Sequence, residues 1–229
     1  MDKISRIKDH FEDEAKEFDE IILKLIPYYA QMIEALVLSI PFGEKEKFRV
    51  IDLGCGTGTI SCSIKKKYPN AEITCLDIAE NMISISQAKL KEFENINYII
   101  NDFYNFNFDK HYDIVISSLA LHHLMSDEDK KLFYKKIYNS LTDRGVFYNA
   151  DVVLASSEYI QKIYMNKWKE YMLKNVSNEE VENKWLPRYY EEDTPTKLIN
   201  HIKWMEEIGY KNIDVIWKYY NFTVYGGYK

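Results

Sequence analysis

The fold of this chain is decided by the stretch Val50-Ile51-Asp52-Leu53-Gly54-Cys55-Gly56-Thr57-Gly58-Thr59-Ile60. An apolar strand runs directly into a turn with glycines at alternate positions, and a helical pattern follows the turn. Glycine lets the backbone adopt conformations closed to other residues, and it brings N–H groups close to a ligand at the positive end of the next helix. The stretch therefore predicts a nucleotide-binding turn and a ligand built on adenosine.

The glycines of this turn have the spacing G-x-G-x-G. A dinucleotide-binding turn has the spacing G-x-G-x-x-G, which would require glycine at the position of Thr59. The run from Asp52 to Gly58 resembles instead the first motif of the class I, Rossmann-like methyltransferases that depend on S-adenosyl-L-methionine (SAM). A turn that uses glycine only for a tight bend is the alternative. The resemblance implies a SAM-dependent methyltransferase that releases S-adenosyl-L-homocysteine.

Composition limits the classes of protein to which the chain can belong. Its 229 residues with 46% hydrophobic content suffice to bury the core of one domain. It has no apolar run of about eighteen residues and no signal-peptide pattern at its start, so we expect a cytoplasmic protein without a membrane partner. The net charge of −6 gives no general attraction to nucleic acid, which is therefore the less favoured partner. The three cysteines indicate neither a disulfide framework nor a zinc site.

Apolar segments of strand length and helix length alternate through most of the chain. Two amphipathic helices, over residues 4–25 and 28–40, are predicted before the sheet. Strands are predicted from Val50 and over residues 71–76, 97–100, 112–117, 146–153, 213–219 and 222–228. The last two must pair antiparallel because little more than Tyr220-Asn221 separates them. The pattern predicts an α/β fold with a doubly wound, mostly parallel seven-stranded sheet that ends in an antiparallel hairpin.

The helical segments define the predicted domain organisation. Residues 1–43 form an N-terminal helical cap, and residues 44–229 form a SAM-binding domain. A turn at 143–145 precedes the fifth strand, and Thr194-Pro195 starts the last helix. Between them, residues from about 156 to 194 have aromatic residues at helical spacing and a capping box at Ser177, which predicts a helical lid on the acceptor side. An aromatic stripe that belongs to the core is the alternative.

An acidic residue ends the second predicted strand. Asp77 lies about twenty positions after the glycine turn, where a carboxylate holds a ribose diol with two charge-assisted hydrogen bonds. A charge that only stabilises the start of the helix near Ala79 is the alternative. The combination of turn and carboxylate favours the ribose ligand.

Two residues after the third strand, Asp102 and Phe103, match a second element of the same class. By resemblance, the acidic residue accepts a hydrogen bond from the adenine amino group, and the apolar neighbour packs on the adenine ring. A turn residue is the alternative for Asp102.

The fourth strand ends in a segment with two histidines, Leu121-His122-His123-Leu124. The carboxyl ends of parallel strands are where such sheets bind ligands, so His122 is the candidate that contacts or deprotonates an acceptor, and His123 lines the cofactor pocket. A packing role is the alternative for His122. No metal is predicted, because adjacent histidines lack a nearby cysteine or carboxylate pattern.

A narrower resemblance extends over most of the chain. The segments at residues 18–22 and 27–29, the helix at 136–141 and the terminal residues 220–222 are similar to the carboxy-SAM synthases, which serve wobble-uridine modification in tRNA. The resemblance implies that Tyr29 faces the methionine end of the cofactor and that Ser118 stands where the family often has asparagine. The family holds its extra carboxylate with an arginine, for which Lys184-Trp185-Leu186-Pro187-Arg188 gives no secure match, so plain methyl transfer is favoured.

These inferences define one predicted site and one predicted function. The catalytic candidate is His122, and the predicted SAM-binding residues are Tyr29, Asp52, Gly54, Cys55, Gly56, Gly58, Asp77, Ile78, Met82, Asp102, Phe103, Ser118, Leu119 and His123. We predict transfer of the methyl group of SAM to a small-molecule acceptor by a monomer or homodimer. The alternatives are a carboxy-SAM synthase and a SAM-binding module without turnover.

Overall fold

The computed structural model describes residues 3–229 and contains one sheet of seven strands. In chain order the strands are β1 (Arg49–Leu53), β2 (Glu72–Asp77), β3 (Ile96–Ile100), β4 (Tyr112–Ser118), β5 (Leu141–Val152), β6 (Lys211–Tyr219) and β7 (Phe222–Tyr228). Their order in space is β3-β2-β1-β4-β5-β7-β6. Only β7 runs opposite to the other six strands, so the predicted fold class and its C-terminal hairpin are confirmed.

Helices cover both faces of this sheet. They are α1 (Lys3–Glu14), α2 (Phe18–Leu25), α3 (Tyr29–Leu38), α4 (Thr59–Lys67), α5 (Glu80–Leu90), α6 (Asp127–Ser140), α7 (Glu158–Met172), α8 (Asn178–Glu180), α9 (Leu186–Glu192) and α10 (Leu198–Ile208). A short 3₁₀ helix spans Leu121–His123, and a π-helical turn, Val181–Trp185, joins α8 to α9. The strands bury apolar side chains on both faces, as parallel sheets covered by helices do.

The direction of winding reverses between β1 and β4. Strand β1 pairs with β2 on one side and with β4 on the other, and both pairs are parallel. Loops that leave the carboxyl ends of β1 and β4 therefore separate and open a crevice, which is where open α/β sheets bind ligands. The glycine turn follows β1, and the two histidines follow β4.

The N-terminal region contains three helices rather than the two predicted. The predicted helix over residues 4–25 is broken after Glu14, because Ala15 packs into a small apolar cluster with Ala79 and Met82. The break lets α1 lie against α5, where the Glu12 carboxylate accepts hydrogen bonds from the first backbone N–H groups of that helix. Within residues 3–229, no single helix has the length and apolar character to cross a membrane, and α2 with α3 meets that test only as a pair bent by 100°.

Two other predicted boundaries were wrong. The predicted turn at residues 143–145 lies inside β5, which already starts at Leu141 and pairs there with Tyr112 before the register shifts. The last helix starts at Leu198 rather than at Thr194, because the chain before it is extended. Thr194 instead donates its backbone N–H to the carbonyl oxygen of His122.

Candidate active site

The glycine turn after β1 adopts left-handed backbone conformations that favour glycine. At Gly54 φ is +71°, and a Cβ atom there would lie 2.3 Å from the Cβ atom of Ala120. At Gly58 φ is +79°, and a Cβ atom would lie 2.4 Å from Ser86 Oγ. Gly54 thus lets the turn contact the loop after β4, whereas Gly58 lets α4 pack against α5.

A cavity of about 990 Å³, here called the first cavity, opens beside this turn. Of the predicted SAM-binding residues, the following line it: Tyr29, Gly54, Cys55, Gly56, Asp77, Ile78, Met82, Asp102, Phe103, Ser118, Leu119 and His123. Residues from five separate segments of the chain therefore meet around one space.

Asp52 and Gly58 do not line the first cavity. Asp52 is 1% exposed, and its carboxylate accepts a hydrogen bond from Ser61 Oγ at 2.7 Å. Burial raises the pKa of Asp52 to about 7. Both residues therefore lie behind the turn. The side chain of Asp52, in β1, points toward Ser61 of α4, and Gly58 forms the N-cap of the same helix.

Asp77 lies at the end of β2 on the wall of the first cavity. Its two carboxylate oxygens accept hydrogen bonds from Gly56 N at 2.8 Å and Ala79 N at 3.0 Å. Burial raises the pKa of Asp77, although these hydrogen bonds oppose the shift. A carboxylate has about four acceptor positions, so the backbone N–H groups do not use all of them and a diol can still donate to it. Asp77 therefore holds the glycine turn and the start of α5 together while it faces the cavity.

The position of Asp102 is consistent with both roles considered for it, a turn residue and a ligand of adenine. Its carboxylate accepts hydrogen bonds from the backbone N–H groups of Tyr104 and Asn105, as in an Asx turn, and it also lines the first cavity. The neighbouring Phe103 packs its ring 5.2 Å from that of Phe133. The turn thus fixes the position of a carboxylate and an aromatic ring on one wall.

The first cavity also contains a polar atom without a partner. Ser118 Oγ is buried and has no hydrogen-bond partner among the described residues. A buried hydroxyl without a partner costs about 1–3 kcal/mol unless a ligand or water satisfies it. Together with the carboxylates of Asp77 and Asp102 and the ring of Phe103, this hydroxyl provides hydrogen-bonding groups and an apolar surface that fit the adenosine and amino-acid parts of SAM.

The N-terminal helices close one side of the first cavity. Apolar side chains that α1 and α2 contribute, and that the sequence analysis did not assign to the site, are Ile4, Ile7, Phe11, Phe18 and Ile22. Asp19 attaches α2 to the glycine turn, because its carboxylate accepts hydrogen bonds from Thr57 Oγ1 at 2.6 Å and Lys89 Nζ at 2.6 Å. The apolar stripe of these helices was the available signal, but the stripe of a packing helix has the same spacing.

A second cavity of about 800 Å³ adjoins the first. The two share five wall residues, which are Phe11, Phe18, Ile22, Leu119 and His123. Helices α7 and α9 and the π turn add large aromatic side chains to the second cavity, among them Trp168, Trp185 and Tyr189. Leu119 lies between the two cavities with φ at +49°, a backbone conformation that non-glycine residues rarely adopt. The two cavities therefore lie side by side, with Leu119 in the wall of both.

An ion-pair network joins α1 to α9 at the edge of the second cavity. His10 Nδ1 lies 2.6 Å from a carboxylate oxygen of Glu192, and its Nε2 lies 2.9 Å from one of Glu14. Arg188 also pairs with Glu14. Burial opposes the charged imidazole, but the two carboxylates outweigh it and raise the pKa of His10 to about 9. At neutral pH the network therefore connects the N-terminal helices to the 156–194 segment through a charged histidine.

This network predicts a pH-dependent stability. Because the pKa of His10 is raised from 6.5 to about 9, its contribution is fully present below pH 6.5 and is lost as the pH rises through about 9. His10→Gln is expected to cost about 1 kcal/mol at pH 6, after allowance for solvent screening, and almost nothing at pH 10. Thermal unfolding of both proteins across this range measures the difference. A difference that does not change with pH would show that the charge of His10 contributes nothing.

His122 lines the second cavity but not the first. Its Nδ1 lies 2.5 Å from Asp151 Oδ1, and its Nε2 lies 3.3 Å from Asp193 Oδ1. Burial opposes the charged ring, but the carboxylates of Asp193 and Asp151 raise the pKa of His122 to about 10. Both ring nitrogens thus face carboxylates, so the ring has no free lone pair while Asp193 stays in place.

His123 has the opposite electrostatic environment. Burial and the neighbouring charge of His122 lower the pKa of His123 to about 4. Its Nδ1 lies 3.6 Å from Asp193 Oδ1, and its ring packs edge-on against Phe11. His123 is therefore neutral at physiological pH and lies where the two cavities meet.

Asp151 and Asp193 were not among the predicted site residues. Asp151 follows an apolar run at the end of β5, and a buried acidic residue at the end of a parallel strand was the signal that could have identified it. Asp193 lies 70 residues after His123 in an irregular segment. No local pattern distinguishes it from the acidic residues beside it.

Comparison with known proteins supports the same fold and ligand. A family model described as a methyltransferase domain matches residues 44–211. Malonyl-acyl-carrier-protein O-methyltransferase 1 of Ilyobacter polytropus is 26% identical over 195 residues, which cover 85% of this chain and 65% of that protein. Carboxy-S-adenosyl-L-methionine synthase of Helicobacter pylori is 26% identical over 223 residues, which cover 92% of this chain and 89% of the relative.

A solved structure agrees with this chain over its whole length. The DhpI–SAM–HEP complex superposes with a TM-score of 0.67 at 17% identity and covers 99% of this chain and 97% of that one. At this level of identity the likeness shows the fold alone. The family model covers more than half of the residues. The matched range includes the glycine turn, strands β1, β2 and β4, and the two histidines. The chain therefore belongs to the methyltransferase-domain family, the class I SAM-dependent methyltransferases.

Proposed function

We propose that this protein transfers the methyl group of SAM to a small-molecule acceptor that binds in the second cavity. One observation carries the proposal: the second cavity adjoins the first along five shared wall residues and is lined by large aromatic side chains. A cofactor in the first cavity and an acceptor in the second would meet near Leu119 and His123. The large aromatic side chains on the walls of the second cavity suit an apolar small molecule better than a charged polymer.

The residues of this chain act mainly by position and by exclusion of water. SAM supplies an activated methyl group on a sulfonium sulfur, and transfer of this methyl group to an acceptor requires no obligatory catalytic side chain. Phe11, Phe18 and Leu119 line both cavities, so they hold the two reactants in contact and keep the junction dry. Correct placement of reactants supplies about 7–11 kcal/mol of barrier reduction in favourable systems. Position alone therefore accounts for much of the expected rate enhancement.

The cap and the lid are part of this proposal. We infer that the cap of residues 1–43, which the structure describes from residue 3 onward, covers the cofactor. We also infer that residues 156–194 close the acceptor side. The contacts of Asp19 with Thr57 and of His10 with Glu192 support this inference, because each ties a covering helix to another part of the site. A cytoplasmic location and a monomeric or homodimeric state stay predictions.

Replacing His122 by glutamine tests its predicted role. We expect turnover to fall at least tenfold while SAM affinity stays within twofold, because the predicted general-base role requires the acceptor to displace Asp193 from His122 Nε2 and free that nitrogen, and general-base help is worth about a hundred- to ten-thousandfold. His111→Gln is the matched control, because His111 lies outside both cavities and its ring contacts the carbonyl oxygen of Ser140. Normal turnover with a lowered melting temperature would assign His122 to packing.

A metabolite screen tests the proposed function itself. The purified protein is incubated with SAM that carries an isotopically labelled methyl group and with fractions of a cell extract, and labelled products are detected by mass spectrometry. We expect label in a small-molecule fraction. Label only in the protein or RNA fractions would contradict the small-molecule acceptor, and SAM binding without any transferred label would support a binding module instead.

A second candidate function is carboxy-SAM synthesis. Arg188 supports it, because the structure places this arginine on the wall of the second cavity, although its guanidinium pairs there with Glu14. The Helicobacter pylori relative of that name also matches over nearly the full length of both chains. Mass spectrometry of the adenosyl compound that co-purifies with the protein separates the two functions. A mass higher than that of SAM by one CO2, the change when a carboxyl group replaces a methyl hydrogen, would favour this candidate.

A further inference from the structure

We propose that His122, His123 and Asp193 form a binding site for one divalent first-row transition-metal ion on the wall of the second cavity. The three side chains offer two imidazole nitrogens and a carboxylate oxygen that all lie within 4.8 Å of one another. His122 Nε2 lies 3.3 Å and His123 Nδ1 lies 3.6 Å from Asp193 Oδ1. Ligand atoms about 2.1 Å from a common tetrahedral ion are about 3.4 Å apart, so these two distances already match.

A second carboxylate orients the first ligand. Asp151 Oδ1 lies 2.5 Å from His122 Nδ1, so Nε2 points toward Asp193 and His123. This carboxylate–histidine arrangement is the usual support of metal-bound histidine, because it selects the tautomer and raises the basicity of the ligand. Asp151 is itself fixed by hydrogen bonds from Val152 N and Asn149 Nδ2.

The segment that carries the third ligand is tied to the histidines. Thr194 donates its backbone N–H to the carbonyl oxygen of His122 at 3.0 Å, and its hydroxyl lies 2.7 Å from the carbonyl oxygens of His122 and Leu124. Asp193 is therefore held beside the 3₁₀ helix by the residue that follows it. Three ligands on two segments joined in this way need little rearrangement to bind an ion.

Charge also favours a divalent ion. The mostly buried carboxylates of Asp151 and Asp193 both face His122, and one proton on that ring balances only one of their two negative charges. An ion of charge +2 with two neutral imidazoles balances both. Two histidines and one carboxylate suit Zn²⁺, Fe²⁺ or Co²⁺ better than Ca²⁺ or Mg²⁺, which prefer oxygen ligands.

The site faces the space where the acceptor is proposed to bind. All three ligands line the second cavity, and three protein ligands leave at least one coordination position of the ion open. On the basis of the proposed function, the ion would hold an acceptor through an oxygen or nitrogen donor. His122 would then serve as a ligand, not as a general base. The third ligand lies in the 156–194 segment, so the ion would also join this segment to the end of β4.

The test measures binding of Co²⁺ and Zn²⁺ to the whole chain in the absence of SAM and acceptor. After dialysis against a chelator, we expect one Co²⁺ per chain, visible by its d–d absorption, and complete displacement by Zn²⁺. His123→Ala and Asp193→Asn should each weaken Co²⁺ binding at least tenfold, and Asp151→Asn should weaken it about 10- to 100-fold. The matched control is Glu191→Gln, an exposed carboxylate two residues before Asp193 whose loss should change nothing.

The outcomes separate this inference from the proposed function. Absence of saturable Co²⁺ binding, or equal binding by wild type and Asp193→Asn, would overturn the metal site whatever the methyl-transfer result. Saturable binding that depends on Asp193, in a protein that transfers no methyl group, would support the metal site and contradict only the proposed function. The melting temperature of each variant reports whether it is folded, since His123 also lines the first cavity and its loss can change SAM affinity directly. Asp193→Asn is the variant expected to disturb folding least, because Asp193 is part-exposed.

Discussion

Replacing Asp151 by alanine is expected to lower the free energy of unfolding by about 3–5 kcal/mol, because the change removes the nearer of the two carboxylates that balance the buried charge of His122. Asp151 is 2% exposed, and the ring of His122 at 2.5 Å is 7% exposed. The same carboxylate accepts hydrogen bonds from Val152 N and from Asn149 Nδ2, which would lose an acceptor. Denaturant unfolding of both proteins at pH 7 measures the loss.

Two further variants make this prediction specific. Asp151→Asn keeps the size and one acceptor oxygen but removes the charge, so it should lose less than alanine does. Asp214→Ala removes an exposed carboxylate on β6 and should stay within about 0.5 kcal/mol of wild type. If Asp151→Ala cost less than about 1 kcal/mol, the pair with His122 would not be a charged one.

Replacing Asp77 by alanine is expected to weaken SAM binding about a hundredfold. Two hydrogen bonds from a ribose diol to a carboxylate are worth roughly 3 kcal/mol together in net terms, and about 1.4 kcal/mol corresponds to a tenfold change in affinity. Asp77 also holds Gly56 N at 2.8 Å, so its loss should loosen the glycine turn in the same direction. Calorimetric titration with SAM measures the affinity, with NAD as the comparison ligand.

The fold is expected to survive this change, since β2 and its pairing with β1 do not depend on the side chain of Asp77. Glu80→Gln is the matched control, because Glu80 is an exposed carboxylate three residues later in the same segment. An Asp77→Ala affinity within twofold of wild type would mean that Asp77 only starts α5. Micromolar NAD affinity without a response to SAM would contradict the assignment of the first cavity.

Much of the fold could be predicted because its signals are local. The apolar run before the G-x-G-x-G turn defines β1, and the short connection at Tyr220-Asn221 forces β6 and β7 to pair antiparallel. The capping box at Ser177 has the predicted reciprocal hydrogen bonds with Glu180. Each of these features depends on residues within a few positions of one another.

Boundaries that depend on distant contacts could not be predicted. The break after Glu14 follows from the packing of Ala15 on α5, which lies more than sixty residues later. The late start of α10 follows from hydrogen bonds between Thr194 and the segment after β4. In both cases helical propensity is outweighed by tertiary contacts that the local pattern does not contain.

The sequence by itself determined the alternation of strands and helices, the ligand-binding turn and the carboxylate at the end of β2, because chain order and the rules of parallel sheets bring the carboxyl ends of the strands together. Only the tertiary structure decided which side chains surround His122. Asp151 and Asp193 approach its two nitrogens from segments that are 29 and 71 residues away in the sequence, 151 − 122 and 193 − 122. Because all three side chains are buried, their charges interact strongly. The charge environment of His122 depends on distances in space, which the periodicity of the sequence does not encode.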